Sequence, residues 1–259
     1  MTPARCAVIG NPIAQSRSPE LHRSFARERG LALEYERIFA PDPAAFVATV
    51  KRFFAAGGQG LNITAPFKEE AFRLADRPTA EATAAGAVNT LWPAEDGALI
   101  GHNTDGLGLC RALDELAVPL TGARLLLIGA GGAARGIGLP LLQRRPAALT
   151  LANRSRARAE ALRDLWQPQT ATPLTVVELA EAHGSYDLIL NAASTGLHNE
   201  ALPLSPALRA AVGYELSYGK ETPFMAWARA QGCPRVYDGF TMLVAQARLS
   251  FDCWFPPES

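Results

Sequence analysis

Three stretches of the chain carry residue types and spacings suited to chemistry. The first is Leu125-Leu126-Leu127-Ile128-Gly129-Ala130-Gly131-Gly132-Ala133-Ala134, an apolar run stopped by glycines. A helical pattern follows at Ile137, Leu139, Leu141 and Leu142. Strand, tight turn and helix in that order, with Gly129, Gly131 and Ala134 in the three slots, fit the dinucleotide fingerprint G-x-G-x-x-G/A. Gly129 can take the backbone angles of the turn, Gly131 lets a pyrophosphate approach the backbone, and Ala134 lets helix and strand pack closely. The helix start adds unpaired N–H groups and a partial positive charge. A glycine-rich turn with no ligand is the plainer alternative, and the flanking strand and helix weigh against it. The second stretch, Asn153-Arg154-Ser155-Arg156-Ala157-Arg158, closes the next strand. An NAD site carries an acidic residue there, about 20 positions on. Three arginines and a serine stand in its place, and guanidinium forks match phosphate oxygens. The pattern predicts NADP rather than NAD, against the alternative of an ordinary solvated basic helix start. The third is Lys68, in Ala65-Pro66-Phe67-Lys68, with Asp105 as a candidate partner. Hydride reduction of a ketone leaves an alkoxide that needs a proton or a positive charge. A protonated lysine supplies both, and a carboxylate beside it keeps the pair poised. Lysine stands only at Lys51, Lys68 and Lys220, and lysine, unlike arginine, can release its proton near neutral pH. On the residues alone, Lys68 also reads as a surface lysine at a helix start, and Asp105, in Asn103-Thr104-Asp105, as a helix cap.

The elements that must position these groups alternate along the chain. Cys6-Ala7-Val8-Ile9 reads as a buried strand ended by Gly10-Asn11-Pro12. Ser18 is expected as the N-cap of a helix, with Pro19 at its first position, running through Phe25 to Gly30. Leu33 to Phe39 alternates as a strand, Phe46 to Phe54 as an amphipathic helix, and Gly60 to Thr64 as a short strand before the Lys68 turn. Val88 to Trp92 is a strand, Gly97 and Gly101 bracket a hairpin, and a helix begins at Gly101-His102-Asn103-Thr104-Asp105-Gly106. From Gly122 the rhythm is strand and helix in turn: strands at 125–128, 148–152, 174–177, 187–191 and 212–216. That alternation indicates a parallel, doubly wound sheet. The chain is therefore expected to be α/β with two domains, 1–103 and 104–239. A last apolar helix, 240–255, is expected to pack back on the first.

Composition narrows the function classes. With 48% hydrophobic and 19% charged residues over 259 positions, large cores can form. Lys+Arg and Asp+Glu number 25 each, so no net field draws the chain to nucleic acid or an anionic membrane. Cys6, Cys110, Cys233 and Cys253 are far apart, as are His22, His102, His183 and His198, so no metal site is expected. No signal-peptide pattern and no apolar run approaching the ~18 residues of a membrane span is seen. A cytoplasmic protein with reduced thiols is expected.

Nine motifs in order resemble the shikimate dehydrogenase family over nearly the whole chain. They are Gly10-Asn11-Pro12 with Ser16-Arg17-Ser18-Pro19; Asn62-Ile63-Thr64-Ala65-Pro66-Phe67-Lys68; Gly86-Ala87-Val88-Asn89-Thr90; Gly101 to Gly106; Gly129 to Ala133; Asn153-Arg154-Ser155; Asn191-Ala192-Ala193-Ser194-Thr195-Gly196; Tyr218-Gly219-Lys220-Glu221-Thr222-Pro223; and Asp238-Gly239 with Met242 to Gln246. The resemblance implies an N-terminal α/β substrate domain and a Rossmann-like NADP domain, with the last helix returning to the first. It implies that Ser16 and Ser18, helped by Tyr218, bind a substrate carboxylate, and that Thr64, Asn89, Asp105 and Gln246 hold ring hydroxyls. Lys68 and Asp105 would be the catalytic pair. Gly129, Ala130, Gly131, Gly132 and Ala133 would take the pyrophosphate, and Asn153, Arg154, Ser155 and Arg158 the adenosine ribose and its 2′-phosphate. Ala192 and Ser194 would also touch the cofactor, and Leu216 and Gly239 would lie near the nicotinamide. The reaction implied is 3-dehydroshikimate + NADPH to shikimate + NADP⁺, in aromatic amino-acid biosynthesis. Partners would be these small molecules, with no nucleic acid or membrane, in a monomer or homodimer. Two positions depart from the family, which often has Met at Leu216 and Gly at Thr241. Leu conserves the volume, whereas Thr241 adds a Cβ and a hydroxyl beside an expected glycine turn, a change expected to weaken cofactor binding or alter substrate use. A quinate/shikimate dehydrogenase differs by one ring hydroxyl. A folate-pathway dehydrogenase fits the paired serines less well, and a non-catalytic NADP-binding sensor leaves Lys68 and Asp105 without a purpose.

Overall fold

The computed structural model describes residues 2–193 and 200–257. The chain divides into two compact units, Met1–Gly108 with Val244–Ser259, and Leu109–Leu243. The division expected after residue 103 thus falls after Gly108, and the last helix changes unit after Leu243.

The first unit contains strands β1 (Ala4–Gly10), β2 (Leu33–Phe39), β3 (Gly60–Ile63), β4 (Arg77–Pro78), β5 (Thr90–Pro93) and β6 (Leu99–His102), and helices α1 (Ser18–Glu28), α2 (Pro43–Ala55), α3 (Lys68–Leu74) and α4 (Ala80–Ala85). The sheet order is β2-β1-β3-β5-β6-β4. β1 is parallel to β2 and β3, while β3-β5 and β5-β6 are antiparallel. Both faces are covered, which is why β1 reads as a continuous apolar run. Ala7 and Ile9 join Phe46, Leu61, Phe67 and Leu91 on one side, where the Phe46 and Phe67 rings stack at 4.9 Å. Cys6 and Val8 pack with Tyr35 and Trp254 on the other. The register sets Asn62 opposite Thr90 and Thr90 opposite His102. The C-terminal ends of β3 and β6 and the N-terminal end of β5 therefore share one edge. Helix α2 is capped by Asp42, whose carboxylate accepts the Ala45 N–H at 2.8 Å.

Helix α5 (Asp105–Glu115) leads into the second unit. Its strands are β7 (Arg124–Ile128), β8 (Ala148–Asn153), β9 (Leu174–Glu178), β10 (Gly184–Asn191), β11 (Leu208–Glu215) and β12 (Arg235–Tyr237), with helices α6 (Gly132–Gln143), α7 (Arg156–Trp166) and α8 (Pro223–Ala230). All ladders are parallel, in the order β12-β11-β10-β7-β8-β9. Counted from β7, this is the 3-2-1-4-5-6 order of dinucleotide-binding folds, with its topological switch between β7 and β10. Ile128 pairs with both Ala152 and Asn191, and Asn191 with Glu215. The carboxyl ends of four strands are thereby level. Helix α9 (Phe240–Trp254) closes the chain, and its Ala247 and Phe251 pack on Phe25 and Ala26 of the first unit.

Several local expectations change. Ser18 is the first residue of α1, not its cap; Arg17 occupies the cap position without a side-chain capping bond. The Ser18 N–H instead reaches Ser16 Oγ at 3.4 Å. Strands β4 and β12 and helix α4 carried no periodic signal, being two, three and six residues long.

His22 is fully buried, its ring stacked on Tyr35 at 4.6 Å and on Trp254 at 5.0 Å. Burial pulls its pKa from 6.5 to about 3, so the folded chain holds it neutral while the unfolded chain protonates it. The unfolded state then binds the extra proton between these values, and stability falls as pH drops below 6.5. His22→Phe is expected to flatten the decline between about pH 6.5 and 5, above the range where carboxylates titrate. Urea midpoints of both proteins at the two pH values check this, and equal slopes would contradict it.

Candidate active site

Lys68 is the first residue of α3 and Asp105 the first of α5. Nζ of Lys68 donates to Oδ2 of Asp105 at 2.6 Å. The Asp105 side chain is 13% exposed and that of Lys68 32%. Asp105 is not the helix cap that its sequence context allows; Asn103 Oδ1 takes the Asp105 N–H at 3.0 Å instead, leaving the Asp105 carboxylate to face the lysine. Oδ1 of Asp105 accepts from Asn89 Nδ2 at 2.9 Å. Both carboxylate oxygens thus act as acceptors. The ammonium keeps two further N–H donors beyond the one given to Asp105.

Asn89 is the hub of this cluster. Its Nδ2 also reaches Thr104 Oγ1 at 2.9 Å and Gln246 Oε1 at 3.3 Å. Its Oδ1 accepts from the Thr104 N–H at 3.0 Å and from the Thr90 hydroxyl at 2.8 Å. Ser250 Oγ completes the set, 2.7 Å from Thr90 Oγ1 and 3.2 Å from Thr104 Oγ1. Asn89, Thr90, Thr104 and Ser250 are all buried. Asn62 Nδ2 donates to the Asn89 carbonyl at 3.2 Å, and the Tyr35 hydroxyl donates to Asn62 Oδ1 at 2.7 Å. Burial holds the Tyr35 phenol well above its ordinary pKa, so it stays a donor.

Ser16 and Ser18 stand together, Oγ to Oγ at 3.2 Å. Arg37 donates to the Ser16 carbonyl and pairs with Glu20 at 2.7 Å, which pins the loop entering α1. Thr64 takes its place after β3, its N–H on the Ile9 carbonyl at 3.0 Å. Its methyl lies where a Cβ on Gly10 would fall, so Gly10 cannot carry a side chain there.

In the second unit the glycine turn has the geometry its sequence calls for. Gly129 has φ of 105°, and a Cβ on it would lie 2.9 Å from the Ala193 nitrogen. Gly131 is the N-cap of α6, and added Cβ atoms at Gly131 or Gly132 would meet nothing within 4 Å. Ala134 is buried against the sheet. The space over this turn and the free N–H groups of the helix start fit a pyrophosphate. At the end of β8, Asn153 Nδ2 donates to the Ser155 carbonyl at 2.9 Å, shaping the turn on which Arg154, Ser155 and Arg158 stand exposed. Ala192 and Leu216 follow β10 and β11; Leu216 N–H donates to the Asn191 carbonyl at 3.0 Å. A Cβ on Gly239 would overlap the Leu216 carbonyl, so Gly239 is the position that demands glycine. Thr241 stands two residues after Gly239. It lies in the first turn of α9, its hydroxyl 2.8 Å from the Tyr214 hydroxyl. Tyr218 follows Leu216 in the same unit. Ser194 lies outside the described residues.

Two family profiles match: the shikimate dehydrogenase substrate binding domain over residues 8–91, and shikimate / quinate 5-dehydrogenase over residues 112–200. Curated relatives named shikimate dehydrogenase (NADP(+)) include one from Acinetobacter baylyi, 47% identical over 249 residues, 96% of this chain and 94% of the relative. Another, from Bordetella avium, is 50% identical over 258 residues, 96% and 90% respectively. The chain belongs to the shikimate dehydrogenase family. A solved structure in it, shikimate 5-dehydrogenase from Thermus thermophilus in complex with NADP(H) and shikimate, superposes with a TM-score of 0.87 at 33% identity, covering 98% of this chain and 94% of that one.

Sequence reasoning had not singled out Thr90, Asn103, Ser250, Asn62 or Tyr35. Ser250 had a usable signal, standing four residues after Gln246 on one helix face. Tyr35 had none, since it reaches Asn62 only through strand register. Because the buried hub serves so many groups, Asn89→Leu is expected to destabilise the fold by about 1–3 kcal/mol, leaving Thr104 and Asp105 short of partners. Urea unfolding measures this, and a loss within the ~0.5 kcal/mol of ordinary surface changes would show that the cluster carries no stability.

Proposed function

We propose that the chain catalyses the reversible NADPH-dependent reduction of 3-dehydroshikimate to shikimate. The observation that carries the reading is the Lys68–Asp105 pair at 2.6 Å, its carboxylate held by Asn89 and its lysine one-third exposed. Relatives of known name at about half identity supply the substrate and cofactor class. NADPH supplies a hydride to the ketone carbon when bound. The Lys68 ammonium stands as the donor of the proton that the new alkoxide takes, and Asp105 keeps that ammonium aimed. In the reverse direction, the neutral amine of Lys68 accepts the proton of the alcohol.

Ser16 and Ser18, with Tyr218, suit the substrate carboxylate as hydroxyl donors. Thr64, Asn89, Asp105 and Gln246 suit the ring hydroxyls. The Asn89 amide is already shared among three acceptors, so a ligand hydroxyl would take the place of its longest bond, that to Gln246. Gly129 to Ala133 suit the pyrophosphate. Asn153, Arg154, Ser155 and Arg158 suit the adenosine ribose and its 2′-phosphate, Leu216 and Gly239 the nicotinamide, and Ala192 and Ser194 are read as further cofactor contacts. The first unit with residues 244 onward is read as the substrate domain and 109–243 as the NADP domain. The setting is the cytoplasm, with small-molecule partners only, in a monomer or homodimer.

Lys68→Ala is expected to lower kcat by about 10²–10⁴-fold while leaving NADP⁺ affinity within about twofold. Steady-state assays with a fluorescence titration of the cofactor check it; an unchanged kcat removes Lys68 from the mechanism. Arg154→Ala is expected to weaken NADP⁺ by about tenfold or more and to leave NAD⁺ unaltered. Equal losses for both would refute the 2′-phosphate assignment. NADP⁺ reduction with shikimate, run beside quinate and beside NAD⁺, decides the activity itself, and absence of turnover with shikimate would overturn the reading.

A further inference from the structure

We infer that Glu215 is a positioning residue for the nicotinamide half of the cofactor site, an inference that rests on the NADP reading above. Glu215 ends β11 and is completely buried. Among the described residues its carboxylate accepts three hydrogen bonds, all from uncharged donors. Oε2 takes Asn191 Nδ2 at 2.7 Å and the Thr222 hydroxyl at 2.9 Å, and Oε1 takes the Ser217 N–H at 2.9 Å. A buried carboxylate is costly unless its lone pairs are used, and here they are used to join separate segments.

Each donor controls a stretch of backbone at the carboxyl edge of the sheet. Asn191 ends β10; its Oδ1 accepts the Ala193 N–H at 3.2 Å and its carbonyl the Leu216 N–H at 3.0 Å. The Ser217 carbonyl accepts the Gly239 N–H at 2.9 Å, and Gly239 is packed so closely on Leu216 that a Cβ would overlap its carbonyl. Thr222 caps α8, accepting the Met225 N–H at 3.3 Å. One anion therefore fixes the turn at Ala192 and Ala193, the path of Leu216 and Ser217, and through Ser217 the place of Gly239. Leu216 and Gly239 are the positions proposed for the nicotinamide, and Ala192 is proposed to touch the cofactor. The adenine-side residues, Asn153 to Arg158, make no contact with this junction in the hydrogen-bond set around Glu215. Being fully buried, Glu215 acts through these segments and does not touch the ligand.

Glu215→Gln keeps the shape but turns one acceptor oxygen into an NH₂ donor facing other donors. The probes are NADPH and 2′,5′-ADP, which carries the 2′-phosphate without nicotinamide. In the variant, kcat is expected to fall about tenfold or more, and the emission of bound NADPH to move toward that of the free cofactor. The Kd for 2′,5′-ADP is expected to stay within about twofold. Glu215→Asp, which keeps the charge and the acceptors, is expected to recover part of kcat and of the emission. Equal losses for NADPH and 2′,5′-ADP, or unchanged kcat and emission, would overturn the inference. If Glu215→Gln does not fold, Thr222→Val removes one of the three donors at similar volume and carries the same readouts. A wild-type protein that binds NADPH with altered emission but does not turn over shikimate would sink the functional reading alone, and the comparison of emission with 2′,5′-ADP binding would still decide the role of Glu215.

Discussion

The contact around which the first unit's buried polar cluster is arranged is the ion pair between Lys68 and Asp105. An exposed pair of this kind contributes about 0–1 kcal/mol, because water competes and two side chains must be ordered. This one differs in its surroundings. The carboxylate is mostly desolvated and both of its oxygens are occupied, one by the ammonium and one by Asn89. Asn89 is itself held by Thr90 and Thr104, and those hydroxyls by Ser250. A fully satisfied buried network of this sort has one low-energy arrangement, since any rotation leaves a polar group unpaired. Its consequence is direction: the lysine head is held at the Asp105 carboxylate, with its side chain one-third exposed.

The second unit builds its candidate nucleotide turn with backbone rather than side chains. A dinucleotide's phosphates need N–H groups and close approach, which a Cβ would prevent. Gly129 sits at φ of 105° against Ala192 and Ala193, and Gly239 lies on the Leu216 carbonyl. Four parallel strands end level there, so small shifts at one end are felt at the next. The uncharged donors around Glu215 tie these ends together. The departure at Thr241 belongs to this same region: its hydroxyl lies 2.8 Å from that of Tyr214, whose oxygen also takes the Met242 N–H at 3.2 Å.

Much of this was legible in the residues. The apolar run at Leu125 to Ile128, the glycines after it and the absence of a carboxylate near Asn153 announce a nucleotide turn because strand burial, positive φ and phosphate charge each restrict residue type locally. The motif series added Lys68, Asp105, Asn89 and Gln246 as a set. Short edge elements such as β4 and β12 were not legible, having too few residues to show a period, and Ser18 was misread as a cap because Ser-Pro fits both a cap and a first turn.

By itself, then, the sequence determined the longer elements, the parallel second sheet, the glycine turn after β7 and the family, since these follow from properties read within a few neighbouring residues. Tertiary structure alone decided that Asp105 turns to Lys68 rather than capping its helix, that Ser250 and Tyr35 support the Asn89 cluster, and that Glu215 is a junction. Each of those depends on strand register and on which helix face is buried, so the partners are distant in sequence and meet only when the sheets have formed.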